Sequence, residues 1–226
     1  MSLRALIFDF DGLIIDTEGV ILRAWQEEFS RHGVEFPFER WVRTNVGTIK
    51  GEPGYVDEYD ELEALVGAAV DRDAILARRV ALHDELLASP VPNPGVREWI
   101  DGALDRGLAL GVASSSARHW VERLLTEMGL RDGFACVSTR DDVGGRGKPD
   151  PAVYLNALAG LGVDASSAVA LEDSPPGVAA AEAAGIFTVA VPSEVTRSLD
   201  FSHADLVVES LASFALDDLL AVRRDP

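Results

Sequence analysis

The chain has 226 residues, 47% of them hydrophobic, and 20 Lys+Arg against 38 Asp+Glu give a formal net charge of −18. That length suits one large domain or a domain carrying an insertion, and the apolar fraction supports a packed core. The charge disfavours nucleic acid and anionic membrane as partners, since both are polyanions, but leaves room for a small anionic substrate where a bound cation reverses the local field.

In chain order, the first apolar run is Leu3 to Phe8. The start, MSLRALIF, has one arginine and no cleavage site and runs directly into the strand, so it reads as mature cytosolic protein. The run ends in Asp9, Asp11 and Gly12. Residues 19–89 then break the pattern. VILRAWQEEFSRHG reads as a helix, and so does LEALVGAAVDRDAILARRVALHDELLAS, with the acidic, Gly-rich GTIKGEPGYVDEYDE between them. This segment is expected to be an inserted helical cap, and SPVPNPG, Ser89 to Gly95, marks the return to a core made of residues 1–18 and 90–226.

Further short apolar runs follow at Leu108 to Ala113, Ala135 to Ser138, Ala168 to Leu171, Phe187 to Val191 and Asp205 to Val208. They are nearly continuous rather than alternating, as strands buried on both faces of a parallel sheet are. Between them, HWVERLLTEMG puts Val121, Leu124, Leu125 and Met128 on one helix face. DPAVYLNALAGLG has Asp150 as N-cap and Gly162 as stop, and SPPGVAAAEAAG opens on Ser174 and closes on Gly185. The fold class is α/β, a doubly wound, Rossmann-like parallel sheet with the helical insertion. No stretch is long enough to span a bilayer. Cys136 is the only cysteine; it fits a reducing compartment and reads as a small core residue.

Ligands of an open α/β sheet bind beyond the carboxyl ends of its strands. The residues found there are Asp9, Asp11 and Gly12 after the first strand, Ser114 to Ser116 after the second, and Glu172, Asp173 and Ser174 after the fourth. Lys148 sits on the GGRGKPDP loop between the third and fourth strands. Four carboxylates together repel unless a cation joins them, and a hard ion such as Mg²⁺ takes oxygen ligands that it shares with a phosphate. Lysine and hydroxyl groups suit the other phosphate oxygens. One aspartate could attack phosphorus while the other handles the leaving group's proton, with Gly12 letting the backbone come close.

DFDGLIIDT, the strand ending in Ser114, Lys148 of GKPDP and LEDSPPGVAAAEAAG together resemble the four motifs of the haloacid-dehalogenase-like hydrolases, in that family's order. The resemblance covers nearly the whole chain and is weakest in the insertion. It implies Asp9 as nucleophile and Asp11 as general acid/base that also meets the metal through its backbone carbonyl. Ser114, with Ser115 and Gly12 beside it, would hold phosphate oxygens, and Lys148 would neutralise phosphate charge and bridge to the nucleophile. Asp173 would ligate Mg²⁺ together with Asp9, with Glu172 supporting directly or through a neighbour. The insertion resembles the family's small α-helical cap, in which Trp25, Arg43 and Lys50 are candidate substrate contacts. A core role for Trp25 and a surface role for the two cations are the competing readings.

The implied activity is a Mg²⁺-dependent phosphatase of a small phosphorylated metabolite, plausibly a sugar phosphate, acting in the cytoplasm as a monomer or weak homo-oligomer. β-Phosphoglucomutase is the alternative within the family. That enzyme carries a histidine four residues after the first-motif threonine, where this chain has Ile21, and a K-G-x-S-R loop, where this chain reads Lys50, Gly51, Glu52, Pro53. A phosphorelay receiver shares the acidic cluster, hydroxyl and lysine but lacks an acid two residues after its phosphoacceptor. His32, His83, His119 and His203 form no ligand spacing and are assigned to no site.

Overall fold

The computed structural model describes residues 2–47 and 54–223. Six strands form one parallel sheet: β1 (Ala5–Phe8), β2 (Ala109–Ser114), β3 (Cys136–Thr139), β4 (Ala168–Glu172), β5 (Phe187–Ala190) and β6 (Leu206–Val207), in the order β3-β2-β1-β4-β5-β6. The expected runs are all strands, though β6 is only two residues long and closes one edge. The chain reverses its winding direction beside β1, which pairs with β2 (Phe8 with Val112) and with β4 (Phe8 with Leu171). A crevice opens at such a reversal, at the carboxyl ends of the strands.

Between β1 and the rest of the sheet lie α1 (Thr17–Arg31), α2 (Phe38–Thr44), α3 (Glu58–Val66) and α4 (Arg72–Leu86). The sheet is flanked by α5 (Val96–Asp105), α6 (Arg118–Glu127), α7 (Ala152–Leu161), α8 (Pro175–Ala183) and α9 (Leu216–Val222). Alternate residues of a strand face opposite sides. Leu6 and Phe8 accordingly join one core with Trp99 and Ile100 of α5, Val121 and Leu124 of α6 and Leu219 of α9. Ala5 and Ile7 join the other with Val153 and Tyr154 of α7 and Ala180 of α8. A third cluster is built almost wholly from α1–α4, with Trp25, Phe29, Trp41, Tyr59, Leu62 and Ile75 at its centre. Trp25 packs edge-on against both Phe29 and Tyr59.

Some expectations shift. The continuous helix expected over 62–89 is two helices, because Gly67 at φ +75° ends α3 and the Asp71 side chain starts α4 by accepting from the Ala74 amide. Helix α7 is assigned from Ala152, with the Asp150 carboxylate accepting from the Ala152 amide at 2.8 Å. Cys136 is half-buried on edge strand β3 rather than in the core, and its Sγ lies against Gly160, where an added Cβ would come within 2.5 Å.

The chain leaves the sheet after β1 and returns before α5, and Asn93 ties these crossings together. Its Nδ2 donates to the carbonyls of Gly12 and Leu13, both at 2.9 Å, and its amide donates to Ile14 at 2.8 Å. Removing this part-buried donor costs the net worth of its hydrogen bonds, about 0.5–1.5 kcal/mol each. Asn93→Ala is therefore expected to lower unfolding stability by about the sum of the two in urea titration; an unchanged midpoint would show that the tie is idle.

Candidate active site

Beyond the carboxyl ends of β1, β2 and β4 lies a cavity of about 780 Å³, within the range of small-molecule sites. Its floor holds Asp9, Asp11, Ser114, Ser115, Lys148 and Asp173. Its far wall comes from the helical segment: Glu18, Ile21, Trp25, Trp41, Asn45, Tyr55, Glu58, Arg79 and His83 all line it.

The strands deliver the floor. Asp9 follows the last residue of β1, and its amide donates to the Leu171 carbonyl of β4 at 2.9 Å, which fixes where the side chain emerges. Glu172 is the last residue of β4, so Asp173 leaves the sheet beside Asp9. Asp9, Glu172 and Asp173 each bring a carboxylate oxygen within 4.8 Å of the others, and all three are buried. Lys148, also buried, hydrogen-bonds Asp9 and lies 2.6 Å from Glu172 Oε1, which also accepts from the Tyr154 hydroxyl. The Lys148 amide donates to Ser115 Oγ at 2.9 Å, linking its loop to the end of β2. Ser114 Oγ accepts from the Ser116 amide at 2.9 Å.

Burial is the largest influence on these charges. It raises Asp9 from the ordinary 3.8 to about 7, with Glu172 and Asp11 adding to the rise and Lys148 opposing it. Burial and the charges of Asp9 and Glu172 push Asp173 well above the usual carboxylate range. Burial works against a charged Lys148, but Asp9 and Glu172 outweigh it and hold the ammonium above its ordinary value. Glu18 rises to about 8 through burial and the nearby Asp11, Asp9 and Asp16 carboxylates. One lysine thus faces three buried acids.

A divalent cation fits this deficit. Asp173 Oδ2 and Glu172 Oε2 are buried without a hydrogen-bond partner. Orphaned carboxylate oxygens on facing groups are the donor set that a hard cation takes. Gly12 closes the cradle: its φ is +86°, and an added Cβ would sit 2.0 Å from Asp173 Oδ2. Asp11 stands apart from this group of three; its carboxylate accepts from Thr17 Oγ1 (3.0 Å), Ser116 Oγ (2.6 Å) and Trp120 Nε1 (3.0 Å).

Of the residues read as substrate contacts, Trp25 is 1% exposed and is at once core and cavity wall. Arg43 does not line the cavity; its side chain is 69% exposed and pairs with Glu39 at 3.7 Å, so it is a solvated surface charge. Lys50 lies outside the described residues. Among the described residues of the helical segment the arginine lining the cavity is Arg79, whose guanidinium stacks 3.6 Å from the Trp25 ring centroid and whose Nε is buried without a partner. Beside it, buried Glu58 accepts from Trp41 Nε1 (3.0 Å), Asn45 Nδ2 (2.9 Å) and the Tyr55 hydroxyl (2.7 Å). The sequence pattern carried no signal for Arg79, Glu58, Glu18 or Trp120; Ser116 was named only as part of the serine run ending the second strand, without a role of its own.

The profile of the haloacid dehalogenase-like hydrolases matches residues 3–185. The chain belongs to that family. YhcW of Bacillus subtilis (strain 168), named as a candidate phosphatase, is 38% identical over 218 residues, 96% of each chain. Hexitol phosphatase B of Escherichia coli (strain K12) is 34% identical over 222 residues, 97% of each. Among solved structures, a mutant CbbY from Rhodobacter sphaeroides in complex with xylulose-(1,5)bisphosphate superposes with a TM-score of 0.67 at 27% identity, over 93% of this chain and 95% of that one. The chain is thus an enzyme of a hydrolase family, and its relatives' names place it among phosphatases.

The raised acids set a pH dependence. A carboxyl whose folded pKa is raised stabilises the fold fully below its ordinary value, and that stability is lost as pH climbs through the folded value. For Asp9 and Glu18 the loss runs from about 4 up through about 7 and 8. Mg²⁺ competes with those protons. The rise in melting temperature on adding Mg²⁺ to chelator-treated protein should therefore be larger at about pH 8 than at about pH 5.5. Equal rises would contradict a carboxylate-held cation.

Proposed function

We propose that the chain hydrolyses the phosphomonoester of a small metabolite, a sugar phosphate, by way of an aspartyl-phosphate on Asp9. The observation that carries this reading is the buried group of Asp9, Lys148, Glu172 and Asp173 at the floor of the cavity. Relatives named for hexitol phosphate hydrolysis and a CbbY complexed with a sugar bisphosphate support the substrate class.

Asp9, Asp173 and Glu172 would hold Mg²⁺, with the Asp11 carbonyl completing the set. When bound, the ion supplies positive charge that neutralises the phosphate oxygens and keeps Asp9 ionised. Lys148, Ser114 and Ser115 hold the other phosphate oxygens, and the Gly12 backbone lies against them. An Asp9 oxygen attacks phosphorus, the ester P–O bond breaks, and the Asp11 carboxyl gives its proton to the departing alcohol. The Asp11 carboxylate then takes a proton from water, whose oxygen attacks the same phosphorus. Inorganic phosphate leaves and the Asp9 carboxylate is restored. Residues 19–89 act as a cap that excludes water and reads the leaving group, supported by the wall that α1 and α4 contribute to the cavity. Ile21 lines that wall, in the place where a mutase of this family has a histidine, which favours hydrolysis over phosphoryl return. A cytoplasmic setting suits such a substrate. No helix among the described residues is long and apolar enough to cross a membrane.

Phosphate release from a panel of hexitol, hexose and pentulose phosphates, with Mg²⁺ and with chelator, tests the reading. Metal-dependent release is expected, and Asp9→Asn should reduce it by more than about 10³-fold while the protein stays folded. Metal-independent release, or retained activity in Asp9→Asn, would overturn it.

A further inference from the structure

We infer that Trp120 is a positioning residue for the general acid/base, and that through His83 it makes the orientation of Asp11 depend on helix α4. This rests on the phosphatase reading in one respect, that Asp11 moves the proton.

Four side chains donate to the Asp11 carboxylate, Ser114 Oγ at 3.5 Å being the longest, and they are not equivalent. The hydroxyls of Thr17, Ser114 and Ser116 can each donate or accept. The indole N–H of Trp120 can only donate, and it sits on a rigid ring. Its 3.0 Å bond to Oδ1 therefore fixes one direction in which that oxygen must lie. The ring is itself held. It packs against the α5/α6 side of the sheet, the Arg123 guanidinium lies 5.1 Å from its centroid, and the His83 ring lies 5.2 Å away with 31° between planes.

His83 belongs to α4 and Trp120 to α6, so this contact joins the helical segment to the sheet across the mouth of the cavity. His83 and Trp120 both line that cavity. A shift of α4 that parts the two rings removes one of the walls that hold the indole in place. Asp11 then keeps its hydroxyl donors but loses the one that fixes its direction. Proton transfer to a leaving oxygen demands close, directed geometry, so orientation is what a positioning residue supplies.

The defect has a signature. Sugar alcohols are poor leaving groups and need the proton; a nitrophenolate leaves with little help. Trp120→Phe keeps an aromatic ring against His83 and deletes the N–H. The readout is kcat/KM with Mg²⁺ for a sugar phosphate and for p-nitrophenyl phosphate, which reports the steps through departure of the alcohol. Trp120→Phe should lose about 10–100-fold on the sugar phosphate and less than about twofold on the aryl ester. His83→Ala should show the same selective loss at smaller size, and His83→Phe, which restores a ring, should recover it. Equal loss on both substrates would mean a merely structural residue, and no loss on either would mean an idle hydrogen bond; both results overturn the inference. An unchanged substrate ratio in His83→Ala overturns the link to α4. Wild-type protein silent toward both esters overturns the phosphatase reading itself, a result separate from an active enzyme whose variants ignore the leaving group.

Discussion

Buried negative charge without enough positive charge organises this molecule. Asp9, Glu172 and Asp173 are brought together by the pairing of β1 with β4, and Lys148 offsets only part of their charge. An apolar strand pair ending in three buried carboxylates is unfavourable for folding alone. The orphaned oxygens of Glu172 and Asp173 and the raised pKa of Asp9 are two faces of the same deficit. A bound cation would relieve it, and would then couple stability, metal binding and chemistry.

The helical segment answers a different demand. Its aromatic cluster lets it pack as a unit with few contributions from elsewhere, Val195 in the loop after β5 being one. Two of its buried acids are fully engaged: Glu58 has three donors, and Glu28 receives two bonds from Arg78. Satisfied networks of this kind rigidify their surroundings. The wall they support is therefore a defined surface, in which Arg79 stands as a cation with an unfilled donor.

The sheet was legible because its strands are continuous apolar runs bounded by turn residues, and Ser174 and Gly185 marked α8 directly. The floor was legible because strand ends carry the chemistry of such folds, so Asp9, Ser114 and Asp173 could be placed by position alone. The wall was not. Arg79 and Glu58 lie on helices whose relation to the sheet no local pattern encodes; Arg43 was singled out instead, and packing leaves it exposed while Arg79 stacks on Trp25. Trp120 was hidden similarly: an indole on an amphipathic helix reads as core, and its bond to Asp11 spans 109 residues of sequence.

The proposed hydrolysis requires Asp9 to carry the phosphate. The most direct measurement is to quench the enzyme with acid during steady turnover, reduce it with borohydride and map the product by mass spectrometry. An acyl-phosphate at Asp9 would be reduced to homoserine at position 9 alone, in a Mg²⁺-dependent manner. Turnover with no reduced residue, or with reduction at another carboxylate, would contradict the account.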